Sequence, residues 1–475
     1  MRLLLVHPRL ADNFYEDIKL PPMGLAYVAG AARQAGHEAA ILDTVFSNDP
    51  VAETVRLVDE FRPDLLGLSV TSASHGAAMN LAAVVKQARP ALPIVCGGVH
   101  PTILPRAVCA MSQVDYVVFG EGESTINELL QVVAGTMKPD QVDGLAFKLD
   151  GEVKVNRPRI LIDDLDSLPM PAYDLLPIRE YYSLQIARTP FSSMITSRGC
   201  PYSCIFCDAN LIFGKRYRSH SPERVMTEVH HLVRHFGVRE IMFKDSEFTL
   251  DRERVKRLCW LLEEAKLDLV WSCNSRIDRT DPEMLAAMKR AGCRLVQYGV
   301  ESGDQEILDR LKKGITIDQV RRTFRHSRMA GLRTVANFMI GNPGDTRETI
   351  AATMRLAEEL KPDYANFSMT VPFPGTELFR LAEMYGWFTP EYDAAAIRLD
   401  RCMMNATSIA TEDLKRLHRK AFRTFYFRPS YLIKRLLQST PHEWKMNLRA
   451  FRRIVKRTQD GTSGELVKKR RCGRD

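Results

Sequence analysis

The sequence lacks the long apolar runs that mark membrane-spanning or exported proteins. No stretch of its 475 residues approaches the ~18 consecutive apolar residues of a membrane span. The N-terminal run Met1-Arg-Leu-Leu-Leu-Val-His-Pro8 is too short for a signal peptide and leads into charged and aromatic residues. We therefore expect a cytoplasmic protein. A composition of 45% hydrophobic and 26% charged residues indicates two or three globular domains.

Three common sequence signatures are also absent: a Gly-x-Gly-x-x-Gly fingerprint, a Walker phosphate loop and an internal repeat. Their absence argues against the usual glycine-rich nucleotide sites and against a repeat architecture. In a reducing compartment, the ten cysteines do not suggest a disulfide framework. Four of them lie in apolar runs and are most simply buried small hydrophobic residues: Cys96, Cys259, Cys273 and Cys293.

Three other cysteines are concentrated in one short segment, Thr196-Ser-Arg-Gly-Cys-Pro-Tyr-Ser-Cys-Ile-Phe-Cys-Asp208. Cys200, Cys204 and Cys207 place three thiolates within eight residues, which is enough to hold one face of an iron–sulfur cube. A structural zinc knuckle is the alternative. Such a knuckle would normally show a second Cys/His pair at similar spacing, and the next candidates here fall singly.

The spacing Cys-x3-Cys-x2-Cys, with Phe206 before the last cysteine, resembles the cluster loop of the radical S-adenosylmethionine (SAM) superfamily. The resemblance implies a 4Fe-4S cluster held by Cys200, Cys204 and Cys207. Its free iron would bind the amino and carboxylate groups of SAM. One electron, supplied through the cluster by a donor such as flavodoxin or ferredoxin, would cleave the cofactor to a 5′-deoxyadenosyl radical.

The first ~140 residues alternate short apolar runs with amphipathic stretches, which predicts a doubly wound, flavodoxin-like parallel sheet covered by helices. Strands are predicted at 3–6, 38–42, 65–70, 94–96 and 116–119, and helices at about 23–35, 51–61, 76–88 and 125–133. Polar and glycine-rich turns follow three of the strands and contain Ser69, Thr71, Gly97, Gly98, His100, Gly120 and Glu121. Because such turns line the ligand crevice of an open sheet, this half is predicted to bind a nucleotide-bearing cofactor.

Residues 1–145 resemble the cobalamin-binding domain that precedes the radical SAM core in a large group of bacterial enzymes. The similar segments are Pro21-Pro-Met-Gly-Leu25, Cys96-Gly-Gly-Val-His-Pro-Thr102 and Gly120-Glu-Gly-Glu123. The resemblance implies bound cobalamin. The Asp-x-His-x-x-Gly motif that supplies a histidine to cobalt in methionine-synthase-like domains is missing, so His100 is expected to be a turn residue rather than a metal ligand. A sheet that has lost its corrinoid is the alternative.

Residues 146–188 are predicted to be a linker, because Leu168-Pro-Met-Pro-Ala-Tyr-Asp174 resists regular structure. Residues 189–400 resume the alternation with six strand–helix units, which predicts a partial (β/α)6 TIM barrel. Strands are expected at 193–196, 240–243, 269–273, 295–299, 335–340 and 366–371. Helices are expected at about 222–236, 252–265, 282–291, 317–330, 346–360 and 376–385.

The polar loops after these strands resemble, in their order, those of the radical SAM core. The resemblance assigns SAM contacts to Asp245, Ser246, Glu247, Arg276, Glu301 and Gly341, and places Phe206 with the Gly341 turn beside the adenine. Arg276 is the best candidate for the SAM carboxylate, since a guanidinium can donate two parallel hydrogen bonds. For Asp245 or Arg276 alone, a surface salt bridge is the alternative.

The positive charge of the chain is concentrated in the predicted helical extension, residues 401–475. From Thr411 onward there are 19 Lys and Arg against 6 Asp and Glu, so the rest of the chain is slightly acidic. Leu414, Leu417, Ala421 and Phe425 share one helix face, which predicts a cap that packs on the barrel and closes the substrate cavity. The stretch Tyr431-Leu-Ile-Lys-Arg-Leu-Leu437 could instead lie on a membrane or a lipid-like substrate. No nucleic-acid partner is expected.

Together, the two resemblances imply a cobalamin-dependent radical SAM enzyme, most simply a methyltransferase acting on an unactivated carbon of a small-molecule or lipid-like substrate. Anaerobic oxidative cyclases and ring-rearranging enzymes share both domains and remain an alternative. A tRNA methylthiotransferase would carry a second three-cysteine set, whereas only Cys96 and Cys109 precede the cluster loop. A corrinoid sensor would not need the cysteine loop or Glu301.

Overall fold

The computed structural model describes residues 1–9 and 18–438, which form two consecutive α/β units. The strands of the first unit are β1 (Arg2–His7), β2 (Glu38–Asp43), β3 (Leu65–Ser69), β4 (Ile94–Gly97), β5 (Tyr116–Val118), β6 (Leu145–Leu149) and β7 (Glu152–Val155). Its helices are α1 (Met23–Gln34), α2 (Pro50–Phe61), α3 (His75–Ala88), α4 (Val99–Ile103), α5 (Pro105–Cys109) and α6 (Gly122–Val133). The sheet order is β2-β1-β3-β4-β5-β6-β7.

The first five strands are parallel and confirm the predicted doubly wound, flavodoxin-like sheet. Leu3, Leu4, Leu5 and Val6 of β1 are all buried, since helices cover both faces of a parallel sheet. The strand order reverses between β1 and β3. The carboxyl ends of these strands therefore form the crevice in which such sheets bind ligands.

The hairpin of β6 and β7 was not predicted. It pairs antiparallel with β5 and extends the first sheet to Val155, so the predicted boundary at residue 145 falls at the start of a strand that belongs to the first unit. The hairpin is short, and its outer strand alternates half-buried with exposed residues. Its apolar signal is weak for that reason. The irregular connector begins only after Val155.

The second unit is a six-stranded parallel sheet in the order β15-β14-β13-β12-β11-β8, which confirms the partial barrel. Its strands, with a two-stranded side ribbon (β9, β10), are β8 (Phe191–Met194), β9 (Ser197–Arg198), β10 (Arg218–Ser219), β11 (Glu240–Phe243), β12 (Val270–Ser275), β13 (Cys293–Glu301), β14 (Arg333–Ile340) and β15 (Tyr364–Met369). Its helices are α7 (Ala209–Phe213), α8 (Pro222–Phe236), α9 (Arg252–Ala265), α10 (Pro282–Arg290), α11 (Gln305–Arg310), α12 (Ile317–Met329), α13 (Arg347–Leu360) and α14 (Glu377–Tyr385).

Side-chain caps define where most of the barrel helices begin. Each capping residue accepts a hydrogen bond from a backbone N–H of the first helical turn: Ser221, Asp251, Asp281, Asp304, Thr316, Thr346 and Thr376. Such caps satisfy donors that a helix cannot pair internally. The strand-to-helix loops that carry the polar residues are therefore held at both ends, by a sheet strand and by a capped helix.

Two C-terminal helices, α15 (Thr411–Tyr426) and α16 (Pro429–Gln438), follow the barrel. The predicted apolar face of α15 packs on the barrel through Leu414, Ala421 and Phe425, which are buried, and half-buried Leu417. The helix lies against β15, the last strand of the sheet, and against α13. It therefore covers the free edge of the partial barrel.

The most basic part of the tail, including Lys468–Arg471, lies outside the described residues. Within the described part of the chain, no helix is both long enough and apolar enough to cross a bilayer.

Candidate active site

The cysteine loop runs from the end of β9 to the start of α7, beside the carboxyl ends of the barrel strands. Gly199 opens the loop at φ +85°, and a Cβ there would lie 2.0 Å from the carbonyl oxygen of Arg216, so only glycine fits. The N–H of Cys200 donates to the carbonyl of Gly214 at 3.3 Å. The backbone thus fixes the loop on its β9 side before any ligand binds.

The three cysteines are free, half-buried thiols on this one loop. Burial raises the pKa of Cys200 and raises that of Cys207 to about 11, so their thiols are protonated at neutral pH without a cation. Iron binding would reverse this preference, because the thiolate is the metal ligand. Among the described residues, no group of three His, Cys, Asp or Glu side chains surrounds a single-ion position. An iron–sulfur cube does not require three ligands around one metal ion, since each of its thiolates binds a different iron.

Asp245 follows β11, is fully buried and fixes the strand that leads into the cysteine loop. Its carboxylate accepts hydrogen bonds from the N–H of Thr196 at 2.6 Å, the hydroxyl of Thr196 at 2.6 Å and the hydroxyl of Ser197 at 2.7 Å. Burial raises the pKa of Asp245, while these bonds oppose the shift. The surface salt bridge considered for Asp245 is thus wrong. A direct SAM contact stays a prediction, and it would compete with these bonds.

Glu247 and Arg276 are joined behind the cysteine loop. The Glu247 carboxylate accepts the N–H of Arg276 at 2.7 Å and the N–H of Thr249 at 3.1 Å. Burial raises the pKa of Glu247. Ser246, which lies between Asp245 and Glu247, is exposed. The segment therefore turns acidic side chains inward and leaves one hydroxyl facing the open end of the barrel.

The guanidinium of Arg276 lies directly beside the predicted cluster. Its Nη1 is 3.9 Å from the Sγ of Cys204, and its plane covers the ring of Tyr202 at 3.5 Å. Nε donates to Asp278 at 2.9 Å and Nη2 to the carbonyl of Lys313 at 2.7 Å. Arg276 is buried, so the surface salt bridge is wrong here as well. The free edge of the guanidinium faces the cysteine loop, which suits the predicted contact with an anion bound there.

Glu301 forms a buried ion pair with a residue that the sequence did not single out, Lys313, whose Nζ donates to Oε1 at 2.7 Å. Glu301 has φ +69° at a bulge between β13 and β14, a conformation that only supporting contacts make tolerable in a residue other than glycine. A Cβ on Gly299 would lie 2.4 Å from the Glu301 carboxylate. Burial lowers the pKa of Lys313, but Glu301 and Cys204 outweigh this and raise it.

Lys313 connects the cluster loop to the end of β13: it pairs with Glu301, and its Nζ is 5.9 Å from the ring centre of Phe206. A signal for Lys313 exists in the sequence: the basic pair Lys312-Lys313, followed by Gly314, lies just after a short helix. A basic pair at a helix end normally faces solvent, so sequence reasoning passed over it.

The Gly341 turn at the end of β14 is ordered by an acidic residue. The N–H groups of Gly341 and Asn342 both donate to Asp345, at 3.0 and 2.8 Å. Gly341 has φ +87°, and a Cβ there would lie 3.0 Å from Leu414 of α15. The turn predicted to flank the adenine is therefore supported from below by the C-terminal helix.

In the N-terminal unit, the predicted corrinoid turns meet at the carboxyl ends of β3 and β4. Half-buried Ser69 ends β3, and exposed Thr71 lies two residues later. The N–H of Val70 donates to the carbonyl of Gly97 at 2.7 Å, and the N–H of His100 donates to the carbonyl of Val70 at 3.1 Å. Gly98 has φ +104°, and a Cβ there would lie 2.9 Å from the carbonyl of Val70. Gly98 is thus needed to join the two strand ends.

His100 is buried rather than solvent-facing. Its Nδ1 is 3.0 Å from the hydroxyl of Ser72, and its ring centre is 4.7 Å from that of His75. Burial lowers the pKa of His100 to about 4, so the ring is neutral at pH 7. His100 lies in α4, directly after the Gly97-Gly98 turn, and is therefore a helix residue rather than the turn residue that was predicted.

Gly120 and Glu121, after β5, diverge in their surroundings. A Cβ on Gly120 would meet nothing within 4 Å, so its backbone borders open space. Glu121 is buried and accepts hydrogen bonds from Arg198 at 3.0 Å, from Arg218 at 2.9 Å and from the N–H of Ile162 at 2.7 Å. A corrinoid contact of this carboxylate stays a prediction, and it would require these bonds to break.

Arg198, which directly precedes Gly199 of the cysteine loop, also donates to Glu123 at 2.5 Å. The acidic turn of the first unit thus holds the base of the cysteine loop. The sequence named Glu121 but neither Arg198 nor Arg218, because nothing in a single sequence indicates which charges are buried together.

Two family models match the chain, the radical SAM superfamily over residues 194–357 and the B12 binding domain over residues 17–130. An uncharacterized methyltransferase of Pyrococcus horikoshii, PH0819, is 33% identical over 457 residues, which is 96% of this chain and 98% of that protein. The anaerobic magnesium-protoporphyrin IX monomethyl ester cyclase of Rubrivivax gelatinosus is 29% identical over 431 residues, covering 85% of this chain and 76% of the cyclase.

The fold matches a solved structure of similar organisation. The cobalamin-dependent SAM radical enzyme OxsB, with aqua-cobalamin and SAM bound, superposes with a TM-score of 0.75 at 19% identity, covering 94% of this chain and 69% of OxsB. This likeness extends across both α/β units and supports the order of a B12-type sheet followed by a partial barrel.

Proposed function

Because this chain belongs to the radical SAM superfamily and carries a B12 binding domain, we propose that it is a cobalamin-dependent methyltransferase that acts on an unactivated carbon. When bound, the cluster with SAM would supply one-electron, hydrogen-abstracting chemistry, and the corrinoid would supply the methyl group. The protein's own contribution is to bind and orient these groups and to exclude water and oxygen.

One observation supports the proposal: the helices that follow the turns assigned to the two cofactors contact each other. Helix α4, which follows the Gly97-Gly98 turn, contacts α7, which follows the cysteine loop. A Cβ on Gly375, after β15, would lie 3.3 Å from Ile103 of α4 and 2.9 Å from Leu211 of α7. A substrate at the open end of the barrel would therefore lie between both predicted cofactor sites, as methyl transfer from one cofactor site to a carbon activated at the other requires.

The residues around the cysteine loop have different proposed roles in binding the cluster and SAM. Cys200, Cys204 and Cys207 would ligate the cluster, and the adjacent Arg276 guanidinium would offset the negative charge of the thiolates. Burial of Glu301 and Lys313 as a pair provides a fixed carboxylate and a fixed ammonium at the same edge. The Glu301 carboxylate could pair with the ammonium of an amino-acid group such as that of SAM, and the Lys313 ammonium with its carboxylate.

The test is anaerobic incubation of the reconstituted protein with SAM carrying a deuterated methyl group and an extract of the source organism. We expect a product whose mass increases by the deuterated methyl group, and none with the triple Cys-to-Ala variant. Activity without corrinoid, or label in no product under conditions in which the enzyme cleaves SAM, would contradict methyl transfer.

A cyclase or ring-rearranging activity without methyl transfer is the second candidate, and the similarity to the Rubrivivax cyclase favours it. The same incubation separates the two. A cyclase would consume SAM and yield a product that lacks the deuterated methyl group.

Two partners belong to this proposal. An electron donor such as flavodoxin or ferredoxin would reduce the cluster.

The basic extension would give peripheral contact with an anionic membrane, an idea supported by its exposed apolar side chains Phe427, Leu432 and Ile433. The membrane contact predicts co-sedimentation with anionic liposomes at low salt and release at high salt. Equal sedimentation of a chain truncated before Tyr431 would contradict it.

A further inference from the structure

The inner face of the partial barrel carries polar side chains near the carboxyl ends of its strands. Along each strand, alternate residues face the helices or the lumen. Phe243, Cys273, Tyr298 and Phe338 belong to the buried core that packs against the helices. The alternate positions, which face the lumen, carry polar side chains that keep some exposure: Lys244, Asn274, Gln297, Asn337 and Asn366.

These five side chains form two groups on the lumen face. Asn274 pairs in register with Gln297, and Asn337 with Asn366. Lys244 follows Phe243, the partner of Cys273, and therefore lies beside Asn274 at the same level. The first group, Lys244, Asn274 and Gln297, lies at β11 to β13. The second group, Asn337 and Asn366, lies two residues further along β14 and β15, since Gln297 pairs with Val335 and Asn337 with Gly299.

Lys244 has no ion pair and no hydrogen bond to its ammonium among the described residues. The buried cations of the site differ, since Lys313 pairs with Glu301 and Arg276 with Asp278. Lys244 keeps exposed surface, yet desolvation lowers its pKa, a combination expected of a side chain that reaches into a concave cavity. Its ammonium is a cation without a counter-charge.

The neighbouring polar groups are also incompletely paired. Gln297 forms no side-chain hydrogen bond within the described ranges, and Asn274 uses only its Nδ2, which donates to the carbonyl of Asp245 at 3.2 Å. One level deeper, the buried hydroxyls of Ser193 and Ser272 lack any partner in the described part of the chain. Unpaired polar groups in a buried site are costly unless a ligand or water satisfies them.

We propose that this lumen binds a polar substrate bearing an anionic group, a carboxylate or a phosphate, which pairs with Lys244 while Asn274 and Gln297 bind its neighbouring polar groups. An apolar, lipid-like substrate would remove water from Lys244 and the amides and leave them unpaired. The inference rests on the proposed function for the location of the substrate, and it replaces the broader choice between small-molecule and lipid-like substrates.

The experiment fractionates the products of the deuterated-methyl incubation. We expect the label in a water-soluble product that anion-exchange resin retains, and alkaline phosphatase then distinguishes a phosphate, which it releases from the resin, from a carboxylate. The Lys244→Met holoenzyme should lose at least ten-fold in labelling, while its iron and cobalamin contents stay unchanged. Lys244→Arg should retain part of the activity, and Lys420→Met, on the exposed face of α15, should match the wild type.

A binding measurement separates this inference from methyl transfer itself. The holoenzyme is acetylated with and without the anion-exchange-retained fraction or the organic-extractable fraction of the extract, and the modification of Lys244 is read by peptide mass spectrometry. Protection of Lys244 by the anionic fraction alone supports the inference even if no methyl group is transferred. Label or protection confined to the organic fraction, or a Lys244→Met enzyme as active as the wild type, overturns it.

Discussion

At the scale of single residues, the sequence located the cysteine loop because three thiols within eight residues suit few kinds of site besides an iron–sulfur cluster. It located Asp245, Arg276 and Glu301 only by their order after that loop. Lys313 and Lys244 were missed for a physical reason. Whether a lysine is buried against a carboxylate, reaches into a lumen or faces solvent depends on strand register and loop path, which local sequence does not encode.

The cysteine loop yields the first prediction. Anaerobically reconstituted protein should hold about four irons per chain, as expected of a 4Fe-4S cluster. The triple variant Cys200→Ala, Cys204→Ala, Cys207→Ala should bind almost none, measured by iron and sulfide analysis. Cys402→Ala, a buried cysteine far along the chain, is the matched control. Equal iron in the wild type and the triple variant would disprove the assignment.

His100 yields a pH prediction. Its pKa in the folded protein is about 4, whereas an unfolded histidine titrates near 6.5. The stabilisation from keeping the ring neutral is thus complete above about pH 6.5 and is lost as the pH falls toward 4. Between pH 7 and pH 5, this residue alone should cost about 2 kcal/mol of unfolding free energy.

Denaturant unfolding at both pH values measures the effect. His100→Gln should show a smaller loss between pH 7 and pH 5 than the wild type. A wild-type loss that His100→Gln leaves unchanged would assign the acid sensitivity to other groups, among which His220, with a pKa also lowered to about 4 by burial, is the first candidate.

At the scale of elements, periodicity predicted nearly all the long strands and helices, because each buries an apolar stripe of the correct period. The elements that it missed are short: β6 and β7, the β9–β10 ribbon, and helices such as α4 and α11. Segments of two to six residues bury too little surface to leave a pattern. Their formation depends on neighbours distant in sequence, as the pairing of β6 with β5 illustrates.

Helices α15 and α16 cover the exposed edge of the open barrel. The free edge of β15 and the segment just before it offer unpaired backbone groups, which side chains of the extension satisfy. Tyr426 donates to the carbonyl of Ala365 at 2.7 Å and accepts its N–H at 3.1 Å, and Tyr431 donates to Asp363 at 3.0 Å. His418 contacts the carbonyl of Phe367 at 2.9 Å. An uncovered edge of this kind would favour pairing with other chains.

Tyr426 therefore yields an element-scale prediction. Tyr426→Phe keeps the ring but leaves both backbone groups of Ala365 without their side-chain partner, which should lower the unfolding free energy by about 1–3 kcal/mol. Tyr385→Phe, on an exposed ring, should change it by less than about 0.5 kcal/mol. Denaturant titration compares the two. Equal, small effects would mean that water replaces the hydroxyl and that packing alone holds α15.

At the scale of the whole molecule, both units were predicted, but the contact between them was not. The sequence placed Glu121 among cofactor residues, whereas its carboxylate joins Arg198 and Arg218 of the barrel unit in a buried network that also includes Glu123. The turn after β5 is thus part of the support of the cysteine loop. Any change at this turn should act on both predicted cofactor sites.

Glu121→Gln yields the last prediction. The substitution keeps the volume but removes the carboxylate with which Arg218 pairs and leaves Arg198 paired with Glu123 alone. Removing one partner of a buried ion pair typically costs about 3–5 kcal/mol. Because Arg198 adjoins Gly199, we expect lower iron retention as well as a lower melting temperature. Glu60→Gln, in the exposed pair of Glu60 with Arg56, should change stability by less than about 1 kcal/mol and leave iron unchanged. If Glu121→Gln lowers stability but iron content per folded chain stays at the wild-type level, the network holds the two units together without positioning the cysteine loop.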